Sequence, residues 1–228
     1  VRLVGGQARY TFYDENSAGR MLRESDLPEL GDDVAAVLFG CINLIAEPCG
    51  SVYETLMARE APRRVMYLDP NIREIFIADR QKHLARMRRM IALADIVKLS
   101  DEDLAWFAEP GEEHEVIRRW LALGPKLIVV TRGADGADAW TADFHLHVPA
   151  IRVAVADTVG AGDTVNAGIL ASLSQAGLLE KEKLVTLSRE QVRRAVDLGM
   201  RAAAVTVSRP GANPPWDHEL RSQQRPGL

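Results

Sequence analysis

The chain carries only two cysteines, Cys41 and Cys49, in 228 residues. So few exclude a disulfide-stapled scaffold, and a chain of this length can bury a core without staples. Both lie in an apolar stretch and read as reduced core thiols of a cytoplasmic protein, with a bridge between them left open by sequence. A basic face is also missing. The net charge is −4 and the 28 Lys and Arg residues are spread along the chain, which argues against nucleic acid or another polyanion as partner. No apolar run is long enough to span a bilayer core of about 30 Å as a helix. The longest, Val34 to Ala46, is interrupted by Gly40 and Asn43 and reads as a buried strand, so no membrane partner is expected. The chain opens Val1-Arg2-Leu3-Val4-Gly5-Gly6, with no Met, no basic start and no signal-peptide cleavage site, and the expectation is a truncated amino terminus. There is no Walker loop, G-x-S-x-G elbow or CxxC, and no internal repeat or heptad. Of the five His residues, only His145 and His147 are suitably spaced to share a strand face, and they read as exposed hairpin residues rather than metal ligands.

What is present is an alternation of apolar, β-rich runs with amphipathic segments, the pattern of a mainly parallel sheet covered by helices on both faces in one α/β domain. Strands are expected at Arg9 to Tyr13, Val34 to Leu44, Val65 to Leu68, Asp95 to Leu99 and Lys126 to Thr131, with a hairpin at Ala137 to Ala142 and His145 to Val148. Helices are expected at Phe76 to Leu93, Asp101 to Ala108, Glu113 to Leu123, Ala161 to Gln175 and Ser188 to Val207, the last opened by a Ser188/Gln191 capping box. Arg86 to Met90 reads as a solvated helix face, and 209–228, rich in Pro, Gly and Gln, as a loose tail.

Chemistry concentrates in Asp157-Thr158-Val159-Gly160-Ala161-Gly162-Asp163-Thr164-Val165-Asn166-Ala167-Gly168. Gly160, Ala161 and Gly162 let backbone approach a ligand closely, and their amides would join the free N–H groups and positive dipole end of the following helix in an anion cradle suited to phosphate. Asp163 would be repelled by that anion unless it accepts a proton from an attacking group, which suits phosphoryl transfer to a hydroxyl. A plain strand-to-helix turn with Asp163 complementing the dipole would not require Asp157 six residues earlier.

This segment resembles the second signature of the ribokinase-like (PfkB) carbohydrate kinases, D-T-x-G-A-G-D-x-F-x-A-G, departing from it at Val165, where the family usually has Phe. The resemblance implies a three-layer α/β/α sandwich with its site along the carboxyl ends of the strands, and an amino-terminal part, with a β lid and much of the sugar pocket, that this chain is expected to lack. A homodimer through that lid is a further implication.

Four other segments then fall into place. Lys98-Leu99-Ser100-Asp101-Glu102-Asp103 is similar to the family's N-x-x-E element, with Ser100 for Asn and Asp103 for Glu. The resemblance gives Asp103 a role in holding Mg²⁺ through water, a role one carboxylate can fill, while the residues alone read equally as a Ser100/Asp103 capping box. Thr131-Arg132-Gly133-Ala134-Asp135-Gly136, at the end of a buried strand, is similar to the T-x-G-x-x-G loop, so Thr131, Gly133 and Gly136 are expected near nucleotide phosphates. Ala202 to Asn213 resembles the last helix and the loop flanking adenine, with Gly211 and Asn213 as contacts. Asp69-Pro70-Asn71-Ile72-Arg73 matches an element of bacterial fructokinases and 2-keto-3-deoxygluconate kinases, and Arg73 could reach a phosphate or pair with Asp69 or Glu74. Asp157 is expected at a monovalent-cation site, for which potassium suits a hard oxygen cage.

The implied activity is transfer of the γ-phosphoryl group of ATP, with Mg²⁺, to a sugar hydroxyl activated by Asp163. D-fructose at its 6-hydroxyl is the first expectation, 2-keto-3-deoxygluconate the second, and ribose or a nucleoside the third. A nucleotide-binding protein of the same fold without turnover is the reading from another class.

Overall fold

The computed structural model describes residues 2–4, 7–9 and 14–222 of the chain. Its centre is a six-stranded sheet in sequential order: β3 (Ala36–Gly40), β4 (Val65–Asp69), β5 (Ile96–Ser100), β6 (Leu127–Thr131), β7 (Ala137–Trp140) and β8 (His145–Val148). The first four are parallel, and the last two are added antiparallel as the expected hairpin. Before the sheet, β1 (Arg2–Val4) and β2 (Gln7–Arg9) form a separate antiparallel pair. The strand expected at Arg9 to Tyr13 falls, past Arg9, outside the described residues.

Each central strand is apolar on both sides because each side meets helices. Met66, Leu68, Val97, Leu99, Ile128 and Val130 join one core with α1 (Cys49–Glu60), α2 (Arg80–Leu93), α3 (Asp101–Phe107) and α4 (Glu113–Leu123). Val65, Tyr67, Ile96, Leu127 and Val129 point the other way, into a second core with α5 (Ala161–Gln175), α6 (Lys181–Leu184) and α7 (Arg189–Val207). The result is the expected α/β/α sandwich. Among the described residues no helix is long and apolar enough to cross a membrane.

Several expectations require correction. Val34 to Leu44 is not a buried strand throughout: β3 is the sheet edge, with Leu38 44% exposed, and the chain then turns into a short 3-10 segment at Cys41–Leu44. Arg86 to Met90 is not a solvated face: Met87 and Met90 are fully buried, and Arg86 is buried against Glu47, Glu54 and the Leu44 carbonyl. Arg88 and Arg89 are the exposed pair, each on a glutamate. Within the stretch expected to be a loose tail, α8 (Asp217–Ser222) forms and Glu219 pairs with Arg209, and residues 223–228 lie outside the described residues. Both cysteines are free thiols.

Candidate active site

Helix α5 begins at Gly160, whose φ of 80° lies in the left-handed region that a side chain disfavours. The reversal lets the chain pass from the loop at Asp157 into a helix whose first turn faces outward. Thr164 holds the turn: its N–H and its hydroxyl both donate to the Gly160 carbonyl, at 2.9 and 2.8 Å. The same hydroxyl meets Thr206 Oγ1 at 3.0 Å, tying the start of α5 to the end of α7. The Ala161 N–H is taken by the Thr158 carbonyl at 3.3 Å, whereas those of Gly160, Gly162 and Asp163 have no acceptor among the described residues. The amides left free to meet an anion are therefore those of Gly160, Gly162 and Asp163, and the Ala161 amide, expected among them, is not. Asp163 is exposed in this first turn, and its carboxylate makes no hydrogen bond to another described residue.

A cavity of about 600 Å³ opens beside the cradle, a size that suits a nucleotide. Its lining combines Thr131, Gly133, Asp135, Arg152, Thr158, Ala161 and Gly162 with the apolar side chains of Ile151, Val153, Val155, Met200, Ala203, Ala204 and Val207. Thr131 ends β6, so the cavity lies at the carboxyl edge of the parallel strands, where open α/β sheets bind ligands. Residues 151–156 form no strand, and the Ala156 N–H donates to the Val207 carbonyl at 2.7 Å, which ties this segment to the end of α7. The alanines of α7 leave room there for a flat ring.

Other residues singled out by sequence stand elsewhere. Gly136 is buried with a φ of 103°, and a Cβ on it would lie 2.2 Å from the Val148 carbonyl oxygen, so its place is set by the hairpin turn. Gly211 and Asn213 are exposed and do not line the cavity; the Gly211 N–H donates to Asp157 Oδ2 at 2.9 Å. Asp157 Oδ1 accepts the Val159 N–H at 3.0 Å, and these two amides, Val159 first, hold the carboxyl below the usual carboxylate range. Asp157 thus staples the loop before α5 to the loop after α7. Ser100 and Asp103 form the reciprocal capping box of α3, each side chain accepting the other's backbone N–H at 3.0 Å. Asp103 Oδ1 also accepts the Ile72 N–H at 2.8 Å, so each oxygen of this buried carboxylate already has a donor. That arrangement fits a partner held through water and leaves a direct metal ligand unfavoured. Arg73 is exposed, and its guanidinium turns back to the Ile72 carbonyl, on neither Asp69 nor Glu74.

Sequence reasoning passed over a buried polar group beneath α5. Asp69 Oδ2 accepts from Lys98 Nζ at 3.1 Å and from Asn166 Nδ2 at 2.7 Å, and Asn166 Oδ1 accepts from the Tyr67 hydroxyl at 3.0 Å. Lys98 was legible as the lone charge in an apolar strand and Asn166 as a polar residue inside the glycine-rich helix.

Residues 2–219 match the profile described as pfkB family carbohydrate kinase. The chain belongs to this family. It is 53% identical over 197 residues to a fructokinase of Rhizobium leguminosarum bv. trifolii, covering 86% of this chain and 60% of that protein, and 32% identical to fructokinase-1 of Oryza sativa, covering 94% and 66%. The chain thus spans about three fifths of the Rhizobium relative's length. Among solved structures, the Vibrio cholerae fructokinase with bound fructose, ADP and calcium superposes with a TM-score of 0.74 at 27% identity, over 86% of this chain and 62% of that one. The Salmonella enterica aminoimidazole riboside kinase, solved with aminoimidazole riboside and an ATP analogue, gives 0.75 at 26%, over 89% and 66%. Carbohydrate kinases of this family share the α/β fold seen here, and the kinase chemistry implies a nucleotide and a divalent cation.

Proposed function

We propose that the protein is an ATP-dependent sugar kinase that transfers the γ-phosphoryl group to D-fructose, giving fructose 6-phosphate. The observation that carries this reading is Asp163: an exposed carboxylate in the same helical turn as three amides without acceptors among the described residues, next in sequence to Ala161 and Gly162, which line a nucleotide-sized cavity. An acid placed beside an anion cradle is useful when it accepts a proton, here from the attacking hydroxyl. The amides of Gly160, Gly162 and Asp163 then neutralise charge on the migrating oxygens, which in a loose transition state is most of what a protein contributes. Thr131 and Gly133 steady the phosphates, and the pocket of small and branched side chains around Ala203, Ala204 and Val155 takes the base.

Asp103 would hold a magnesium ion through water, and the ion would supply charge neutralisation at the nucleotide phosphates. Asp157 is the proposed neighbour of a monovalent cation, potassium by the hardness of its oxygens, which would share the carboxylate with the Val159 and Gly211 amides. Sugar and nucleotide are the partners proposed, in the cytoplasm.

Fructose is favoured over a riboside because the Rhizobium fructokinase is twice as similar in sequence, 53% against 26% for the aminoimidazole riboside kinase. The test is ADP release by the natural-length protein with Mg-ATP against fructose, 2-keto-3-deoxygluconate, ribose, glucose and adenosine. Selective turnover on fructose is expected. Turnover on another acceptor would discard the sugar and keep the chemistry, and nucleotide binding without turnover on any would overturn the kinase reading.

A further inference from the structure

Lys98 lies midway along β5 with its side chain 6% exposed, and its only hydrogen bond among the described residues is to Asp69 Oδ2. An ammonium has three protons to donate. Burying a charged pair costs several kcal/mol per ion before pairing offsets it, and apolar side chains of similar size commonly serve stability as well or better. The pair therefore calls for a reason beyond the core. Asp69 deepens the question, because its other oxygen, Oδ1, is buried with no partner.

The pair's direction supplies the reason. The faces of β4 and β5 that carry Tyr67, Asp69, Ile96 and Lys98 turn toward α5. A methyl group placed on Gly162 would sit 3.0 Å from Lys98 Nζ, so the ammonium lies directly behind the cradle. Asp69 instead meets Asn166, one helical turn deeper on the same side of α5. The cation is thus nearest the cradle and the anion farther from it, which adds to the field of the helix N-terminus. Asn166, fixed by Tyr67, keeps Asp69 from swinging round.

We propose that Lys98 is a positioning residue for phosphoryl transfer: its ammonium, oriented by Asp69, strengthens the Gly160 to Asp163 cradle specifically for the phosphoryl group in transfer. The proposal rests on the kinase reading above. It also explains the glycine at 162, where any side chain would crowd the ammonium. A charge acting at short range in a partly desolvated site changes binding of the group it faces by about 10- to 100-fold. The terminal phosphoryl of ATP faces the cradle, so ATP should feel Lys98 and ADP should not.

Lys98→Met alone would leave Asp69 buried without its counter-ion, so the informative variant is the double Lys98→Met/Asp69→Asn, which is neutral and keeps an acceptor for Asn166. The experiment measures binding of a non-hydrolysable ATP analogue and of ADP by calorimetry, with natural-length wild-type and double-variant protein, and kcat on the sugar that wild type uses. The expected result is affinity for the ATP analogue lowered about 10-fold or more with ADP within about 2-fold, and kcat lowered about 10- to 100-fold. Equal changes for the two nucleotides, or none, would reduce the pair to a structural role and overturn the proposal. If the double variant does not fold, Gly162→Ala in the wild-type background, which pushes the ammonium back by a few tenths of an ångström, must still weaken the ATP analogue more than ADP, by a smaller factor, and an equal effect on both or none refutes the proposal. Failure of wild type to bind either nucleotide would sink the kinase reading instead, which keeps the two failures distinct.

Discussion

Replacing Gly168 by Ala should weaken the protein even though alanine is the better helix former. Gly168 lies in α5 against Gly199 of α7, and a Cβ on it would stand 2.5 Å from Gly199 Cα and 2.7 Å from Gly199 N. Real Cβ contacts are nearly an ångström longer, and the obstruction is backbone, so no rotamer change relieves it and the two helices must separate. Overpacking of this kind costs about 1–3 kcal/mol, and the rigid neighbour puts the cost near 3. Exchange of Gly for Ala returns about 1 kcal/mol of helix propensity, leaving a net loss of about 2. For a chain of this size that is a fall of about 4–8 °C in Tm by calorimetry. Gly199→Ala meets the Val165 carbonyl oxygen at 2.8 Å and should behave alike, and the double variant should cost less than the sum, since one separation accommodates both methyls. Function follows packing here, because Val165 and Gly162 on α5 face Met200, Ala203 and Ala204 on α7 across the cavity. KM for ATP should rise in both single variants. A Gly168→Ala protein that melts at or above the wild-type temperature would refute the argument.

Two further predictions concern acid and the carboxyl-terminal loop. His83, buried between α2 and its neighbours, has its pKa pushed down to about 4, first by burial and then by the adjacent Arg86 guanidinium. The native form is neutral, so the unfolded chain takes up a proton below pH 6.5 while the folded one does not until about 4. Stability is complete above 6.5, declines as pH falls, and levels off near 4, by about 3 kcal/mol in all. His83→Phe should flatten the Tm profile across that window, and an unchanged slope would exclude His83 as its cause. Asp157→Ala removes the acceptor of the Val159 and Gly211 amides, so hydrogen exchange at both should accelerate while the middle of α7 stays protected. Unchanged exchange at Gly211 would mean that the staple does not form in solution.

Local signals made most of the fold legible. The limits of α4, α5 and α7 follow from caps and 3.6-residue spacing, and Ser188 with Gln191 marks the start of α7 in the residues themselves. The close-approach turn before α5 was equally plain from its small residues, but the Ala161 amide, expected to be free, is taken by the Thr158 carbonyl, which residue type alone does not announce. Helix α1 escaped because it starts after Pro48 without a side-chain cap and buries Glu60. That glutamate is tolerated only because Arg59, Arg63 and Arg64 surround it. Arg86 was misplaced for a similar reason: its partners Glu47 and Glu54 lie more than thirty residues away. The Tyr67–Asn166–Asp69–Lys98 group joins residues up to 99 positions apart, and no periodicity announces such a contact. Gly136, Gly211 and Ser100 show the reverse. Their residue types fit both a ligand and a turn or cap, and the contacts they make among the described residues are those of a tight turn, a loop staple and a helix cap.

The account depends most on Asp163 as the group that accepts the proton. Asp163→Asn keeps the size of the side chain and the amides of the cradle while removing the base. Steady-state turnover of the natural-length protein with Mg-ATP and fructose, measured beside ATP-analogue binding, should show kcat lowered by at least about 100-fold with nucleotide affinity nearly unchanged. A variant that retains near-normal turnover would contradict the central claim.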